Sequence, residues 1–222
     1  MPKILETQDL RKLIDRNTEQ NAELNAALIA AAALWGLKAS ELSLVEVGDI
    51  LTAKGELKRK WILRKEVSFN RYVRELYTEH ESLVNYLNRY LEFRVNNRFG
   101  TTNIGEYRGL DPASRLFLTD KGKPFNFTRR SAKAEGETNL QPTGMNNYFK
   151  RLIKNSCISD LSFRDFRSSI AVNMYREGSS NTRIKKTIME YLGIRSYDAL
   201  MKILNSDPKS IHDMVKGIYK RI

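Results

Sequence analysis

The side chains of this sequence that could do chemistry are mostly basic, and the densest group of them lies between residues 54 and 74. Three aromatic residues, Trp61, Phe69 and Tyr72, are interleaved there with eight basic ones: Lys54, Lys58, Arg59, Lys60, Arg64, Lys65, Arg71 and Arg74. Basic side chains that neutralise phosphates release counterions, so binding through such a segment depends strongly on salt. We expect the aromatic side chains to point into the core and the cations to point outward, towards a polyanion.

Two smaller basic groups offer further contacts with phosphates. Arg129 and Arg130 precede a polar stretch over residues 131–143 that has no periodicity. The second group opens a predicted helix and consists of Arg183, Lys185 and Lys186. We expect both groups to contact the backbone of a nucleic acid.

The charge of the whole chain favours the same kind of partner. With 38 Lys and Arg against 26 Asp and Glu, the 222 residues carry a formal net charge of +12, and the pI is about 9.7. Residues 1–50 contain five basic and eight acidic residues, a net −3, so the remainder of the chain carries +15. Such a surplus is typical of proteins that bind nucleic acid and less often of proteins that bind anionic membranes.

The residue types that are scarce exclude several kinds of site. The sequence has one cysteine, Cys157, and two histidines, His80 and His212, which are too few for an internal disulfide or a Cys/His zinc site. It contains neither a P-loop nor a G-x-G-x-x-G motif, and its longest apolar run, Ala26–Trp35, is too short to span a bilayer. We therefore expect no metal, no cofactor and no membrane contact, and a cytoplasmic protein that is nucleoid-associated when bound to DNA.

The elements that must position these residues are predicted from periodicity and from capping and turn residues. Thr7 can cap a first helix, and the further predicted helices cover residues 22–35, 79–93, 142–154, 164–177, 181–191, 196–204 and 208–220. Residues 50–77 alternate apolar with basic side chains, which predicts an antiparallel sheet of two or three strands. The expected fold class is α+β, mainly α-helical with a small antiparallel sheet near the N-terminal half, in a single domain over residues 1–222.

Three parts of the chain together carry a family resemblance. The first is Gly36-Leu37-Lys38-Ala39-Ser40-Glu41-Leu42; the second is the basic hairpin around Lys65 with Leu116-Phe117-Leu118 and Gly122-Lys123-Pro124; the third is Arg164-Asp165-Phe166-Arg167 with Leu192-Gly193-Ile194. In order and spacing these parts resemble the catalytic domain of the tyrosine recombinases, the phage-integrase family. The resemblance runs from about Leu5 to Leu204.

The resemblance implies a set of site residues. Members of that family break a DNA phosphodiester with a tyrosine nucleophile, while two arginines, a lysine and two histidines (or a histidine and a tryptophan) stabilise or protonate the reacting groups. Matched position by position, the first arginine is Lys38, the lysine is Lys65, the first histidine is Arg164, the second arginine is Arg167, the second histidine is Ile194 and the nucleophile is Ile203.

These departures predict a site that holds DNA without cutting it. Ile203 cannot attack phosphorus, and Ile194 can neither donate nor accept a hydrogen bond. Lys38 lacks the planar fork of an arginine, and Arg164 cannot shuttle protons near neutral pH. The four cations, Lys38, Lys65, Arg164 and Arg167, are expected to cluster where the family holds the scissile phosphate.

The leading hypothesis is therefore a catalytically inactive protein that binds duplex DNA, as an accessory or target-recognition factor of a mobile genetic element, with an active recombinase or transposase as a candidate partner. The first alternative is an active recombinase with a rearranged nucleophile, for which Tyr197 is the best candidate. The second alternative is a module whose basic surface binds an acidic protein.

The resemblance also bears on domain organisation and assembly. The family usually adds a small helical domain that closes a clamp around DNA, and this sequence begins where the catalytic domain begins. Residues 208–220 place Ile211, Met214, Val215 and Ile218 on one apolar stripe. We expect this predicted helix to pack on its own domain in the free monomer and to act between copies in an assembly on DNA.

Overall fold

The computed structural model describes residues 3–131, 138–156, 161–178 and 182–207. Within these ranges the chain forms helices α1 to α9, a 3₁₀ turn at Glu106–Gly109 and two antiparallel strand pairs. The α-helices are α1 Thr7–Asp15, α2 Ala22–Trp35, α3 Ala39–Leu42, α4 Val47–Ile50, α5 Glu81–Asn96, α6 Thr143–Lys154, α7 Phe163–Glu177, α8 Thr182–Leu192 and α9 Tyr197–Leu204. The strands are β1 Lys60–Leu63, β2 Arg74–Tyr77, β3 Thr128–Ser131 and β4 Thr138–Gln141. The predicted α+β class is confirmed.

Helix α2 is the centre of the main core because its alanines let other helices approach closely on almost every side. It packs against α1, α5 and α7, and most of its side chains are buried. Trp35, its last residue, meets Trp61 of β1 edge to face with ring centroids 5.0 Å apart, and the Trp35 indole Nε1 donates to the carbonyl of Tyr77. The helix therefore fixes the position of the first strand pair.

The first strand pair confirms the predicted sheet but corrects the expected direction of its side chains. Trp61 points inward as predicted, whereas Phe69 and Tyr72 are exposed and Arg74 is buried. Arg74 alternates with Glu75 on β2 and lies on the same inward face as Leu76. Its charge is tolerated there because the buried Glu41 lies opposite it.

A second antiparallel pair, β3 and β4, lies in the region where the sequence showed only a polar stretch. Thr128 pairs with Gln141 and Ser131 with Thr138. The sequence gives little signal for these strands because only Leu140 among their residues is a large apolar one, and its side chain is exposed. Strand pairing there depends on backbone hydrogen bonds rather than on burial of a hydrophobic face.

Helices α7, α8 and α9 enclose a smaller core that contains Ala171, Val172, Ile188, Leu192 and Leu200. The start of α7 is held by a capping box, in which Asp165 accepts hydrogen bonds from the Ser162 backbone and hydroxyl. Asp165 also accepts from the backbone of Lys3, which ties the start of the described chain to α7. This anchoring matters because α7 carries two of the candidate site residues.

The predicted helix over 208–220 lies outside the described residues. Among the helices that are described, none combines the length and the apolar character that crossing a membrane requires.

Candidate phosphate-binding site

Arg167 lies at the point where α7 meets the ends of α2 and α8. Its guanidinium donates one hydrogen bond of 2.5 Å to the carbonyl of Gly36 and one of 2.8 Å to the carbonyl of Leu192. Burial lowers the pKa of Arg167 to about 10, against the favourable field of Glu41. Arg167 is thus charged at neutral pH, and two of its N–H groups donate to backbone carbonyls at the C-terminal ends of α2 and α8.

Gly36 makes this convergence possible. Its φ of +58° is in the left-handed region, and a Cβ placed on it would lie 2.5 Å from a methyl group of Leu192. A side chain at position 36 would therefore separate α2 from α8 and move the carbonyl that Arg167 binds.

Lys38 lies close to Arg167 at this junction of helices, and we call the site around these two side chains the Lys38–Arg167 corner. Its ammonium lies 2.9 Å from the centroid of the Phe69 ring, and the guanidinium carbon of Arg167 lies 6.0 Å from the same centroid. Burial, and next the charge of Arg167, lower the pKa of Lys38 to about 8, while Glu41 acts in the opposite direction. Lys38 and Arg167, two of the four cations expected to cluster, therefore lie near the same aromatic ring.

A buried ion pair lies behind this corner. Arg74 of β2 donates a hydrogen bond of 2.8 Å to Glu41, and the two side chains are 1% and 0% exposed. Glu41 also accepts hydrogen bonds from the backbone N–H groups of Lys38 and Phe69. The carboxylate thereby joins α3, the strand pair and the loop that carries Phe69.

The loop between β1 and β2 is held against the end of α8 by polar contacts. The Asn70 amide donates to the carbonyl of Gly193 at 2.8 Å, and Arg195 donates to the carbonyl of Asn70 at 2.7 Å. The Ser68 hydroxyl contacts the Asn70 side-chain oxygen at 2.8 Å. These contacts set where the exposed rings of the loop stand relative to α8.

Three other candidate cations are exposed and make no ion pair in the described part of the chain. Lys65 and Arg71 lie on the loop of the first strand pair, and Arg164 lies one turn before Arg167 on α7. All three are exposed, and within the described ranges no acidic side chain comes within ion-pair distance of them. They can approach a polyanion without first breaking an internal ion pair.

Three other candidates make internal contacts instead. The Lys58 ammonium donates to the carbonyls of Gly48 and Asp49. Arg64 forms ion pairs of 2.6 Å with Asp49 and 2.7 Å with Glu46. Lys60 pairs across the strands with Glu75 at 3.0 Å, where both side chains are exposed. Lys58 and Arg64 thus connect the first strand pair to α4.

The remaining basic candidates lie on separate parts of the surface. Arg59 and Arg129 are exposed, and Arg130 lies on β3 with a side chain outside the described part. On α8, Arg183 is exposed, Lys186 lies 3.9 Å from Glu190, and the Lys185 ammonium lies 3.2 Å from the Tyr197 hydroxyl.

The two aliphatic residues that the resemblance matches to the second histidine and the nucleophile pack with the smaller core. Ile194 follows α8, Ile203 lies on α9, and both are half-buried against that cluster. Tyr197, the rival nucleophile, begins α9 with an exposed ring whose hydroxyl contacts Lys185. In the described part of the chain, no hydrogen bond joins this hydroxyl to Lys38 or Arg167.

Sequence reasoning missed Arg74, Glu41, Phe69 and Asn70 as members of this corner. Arg74 could have been found from the two-residue period of β2, because Leu76 on the same face is apolar. No local pattern shows that Phe69 would lie over Lys38, since the two residues are 31 positions apart and on different elements.

In the described ranges, no three His, Cys, Asp or Glu side chains come close enough together to hold a metal ion.

No protein-family model matches the chain, and no curated protein sequence matches it. Several solved structures, however, match its fold. The crystal structure of XerA recombinase superposes with a TM-score of 0.67 and 17% identity, over 98% of this chain and 65% of that one. The Tn1549 transposon integrase in complex with transposon right-end DNA gives a TM-score of 0.60 and 15% identity, over 99% and 66%. A lambda integrase dimer bound to a core site gives 0.54 and 16%, over 91% and 59%.

This chain spans slightly less than two thirds of the length of the first of these structures. At such low identity the comparison concerns the fold alone, and it agrees with the resemblance seen in the motifs. The chain has the fold of a tyrosine-recombinase catalytic domain.

Proposed function

We propose that this chain binds duplex DNA with the cations around the Lys38–Arg167 corner and does not cleave it. One observation carries the proposal. Lys38 and Arg167, which the motif resemblance matches to phosphate-binding positions, lie near the same Phe69 ring, while Ile203, which it matches to the nucleophile, packs against the smaller core. Such a site attracts phosphate and lacks the oxygen that must attack it.

Duplex DNA is favoured over an acidic protein by the distribution of charge. Lys65 and Arg71 on the loop of the first strand pair and Arg164 on α7 are exposed, which leaves several cations available to the phosphates of one backbone. The Tn1549 integrase and the lambda integrase of similar fold were both solved with DNA. The transposon origin of the former supports a role for this chain as an accessory or target-recognition factor of a mobile element.

Cleavage of DNA at this site would also need groups that stabilise the reacting phosphate, and several of these are missing or already engaged. Ile194 offers no hydrogen bond to a reacting phosphate, and Arg167 already donates to two carbonyls. A phosphate that approached Lys38 would also meet the Phe69 ring, which lies 2.9 Å from the ammonium.

A nicked suicide substrate tests the absence of cleavage, because it traps any covalent protein–DNA adduct. We expect no adduct and no relaxation of supercoiled DNA, with an active tyrosine recombinase as the positive control. An adduct that disappears in Tyr197→Phe would overturn the proposal and establish the rearranged recombinase.

Binding itself is tested by fluorescence anisotropy with a labelled duplex at several salt concentrations. We expect affinity to fall steeply with salt, and Lys65→Ala to weaken binding and to flatten the slope by about one unit. Lys60→Ala is the matched control, since Lys60 is already paired with Glu75. Failure to bind duplex DNA would leave the acidic-protein alternative in its place.

A further inference from the structure

We propose that the surface formed by Phe69, Tyr72 and the end of α8 binds an unpaired base of DNA by stacking. This inference rests on the proposed function, because it needs a chain that is already held on DNA. It specifies the form of DNA that the site prefers, namely a duplex with an extrahelical base.

Two aromatic rings are exposed on the loop of the first strand pair. Phe69 is 45% exposed and Tyr72 is 42% exposed, although rings of this size are usually buried. Lys65 and Arg71 are exposed on the same loop. Aromatic rings set among cations are the arrangement by which proteins bind unstacked nucleotides, with cations on the backbone and rings on the bases.

The Phe69 ring is supported from beneath. The Lys38 ammonium lies 2.9 Å from the ring centroid and the guanidinium carbon of Arg167 lies 6.0 Å from it, so the exposed surface of Phe69 is the part of the ring that these cations leave uncovered. The backbone N–H of Phe69 donates to the buried Glu41 at 3.3 Å, which holds the residue in place. Lys38 and Arg167, at the phosphate positions of the motif, thus act as a support for a stacking platform.

A pocket of about 250 Å³ lies beside Tyr72, between the loop and the end of α8. Tyr72, Met189, Gly193 and Ile194 line it together with the charged residues Lys186, Glu190 and Arg195. Its volume is just below the usual range for small-molecule sites, which suits one planar base. Ile194, where the motif has a hydrogen-bonding residue, provides an apolar surface that a base face can contact.

The charges of this pocket favour a nucleotide over an apolar peptide. Lys186 and Arg195 can each contact a phosphate that flanks the inserted base. Glu190 can accept a hydrogen bond from the amino group of adenine or cytosine, as carboxylates do in base recognition. A paired base cannot enter, because its faces are covered by its neighbours in the stack.

The test compares a fluorescein-labelled matched duplex with the same duplex carrying one bulged adenine. We expect the bulged duplex to bind roughly tenfold tighter, the effect of stacking one base. Tyr72→Leu keeps an apolar side chain but cannot stack, so it should remove most of this preference while matched-duplex affinity stays the same. Phe69→Leu should also remove most of the preference, and because its ring covers Lys38 it is compared by the ratio of bulged to matched affinity. Ile104→Ala, a change at an exposed apolar residue outside this surface, should leave the preference intact.

The outcomes separate this inference from the proposed function. Equal binding of both duplexes by the unaltered protein overturns the stacking site and leaves duplex binding in place, whereas no binding of either overturns duplex binding. If Phe69→Leu fails to fold, 2-aminopurine at the bulge decides the matter with the unaltered protein. Quenching of its fluorescence on binding supports stacking, and unchanged fluorescence overturns it.

Discussion

Arg71 on the loop of the first strand pair and Arg74 at the start of β2 lie three residues apart, yet their surroundings are opposite. Arg71 is exposed and has no ion pair within the described chain, whereas Arg74 is 1% exposed and is paired with the buried Glu41. Arg164 and Arg167 repeat the contrast on α7, where the first is exposed and the second donates to two carbonyls.

This contrast shows that the basic surplus of the sequence is divided between two uses. Arg74, Arg167 and Arg94 satisfy buried backbone or carboxylate groups; Arg94 donates to the carbonyls of Phe99, Arg115 and Leu116. Only the open cations are available to a partner without loss of internal contacts. The net charge of the chain is therefore larger than the charge that its surface can offer to a polyanion.

The strongest test of the contrast is to compare Arg74→Ala with Arg71→Ala. The first change leaves Glu41 buried without its cation and should lower the free energy of unfolding by about 3–5 kcal/mol. The second should alter it by less than about 0.5 kcal/mol. Urea denaturation followed by circular dichroism measures both, and equal effects would contradict the assignment of Arg74 to the interior.

A smaller effect is expected for the pair on α7. Arg167→Ala leaves the carbonyls of Gly36 and Leu192 without their donor and should cost about 2–3 kcal/mol of stability. Arg164→Ala should be neutral to folding and should weaken DNA binding. The same denaturation experiment, run beside anisotropy with duplex DNA, would refute the division if Arg164→Ala destabilised the fold as strongly.

Lys38 is intermediate between the buried arginines and the exposed cations, because it is charged but partly buried. We expect this burial to affect the pH dependence of stability. The pKa of Lys38 is 10.5 ordinarily and about 8 in the folded chain, chiefly because of burial. Between these values the unfolded chain binds more protons, so stability should rise as pH increases from 8 to 10.5, with the penalty fully present below 8. Melting temperatures of the unaltered chain and of Lys38→Met across this range should converge as the pH rises, and parallel curves would contradict the shift.

The open cations should have the smallest effect on stability and a clear effect on the salt dependence of binding. Combining Lys65→Ala with Arg71→Ala should leave the melting temperature almost unchanged while the salt slope of duplex binding flattens by about two units, one per lost phosphate contact. An unchanged slope would place the DNA on another face of the molecule.

Most of the helices and the first strand pair were predictable from local patterns. The alanine run of α2 ends at Gly36 as expected, and α6, α7, α8 and α9 lie within two residues of their predicted bounds. The pair β3–β4 was missed because its residues have no apolar alternation. Within the candidate site, the motif resemblance predicted that Lys38 and Arg167 would lie close together. It did not predict that the Phe69 ring would lie against Lys38.

The sequence by itself determined the helical order, the surplus of positive charge and the aliphatic residues at positions 194 and 203, because these are properties of residue types and short-range spacing. Only the tertiary structure decided which cations make hydrogen bonds and ion pairs inside the protein. Arg167 finds its acceptors at Gly36 and Leu192, which lie 131 and 25 residues away along the chain, and Arg74 finds Glu41 across 33. Burial in a folded core, and not residue type, determines whether an arginine binds its own backbone or stays open to a partner.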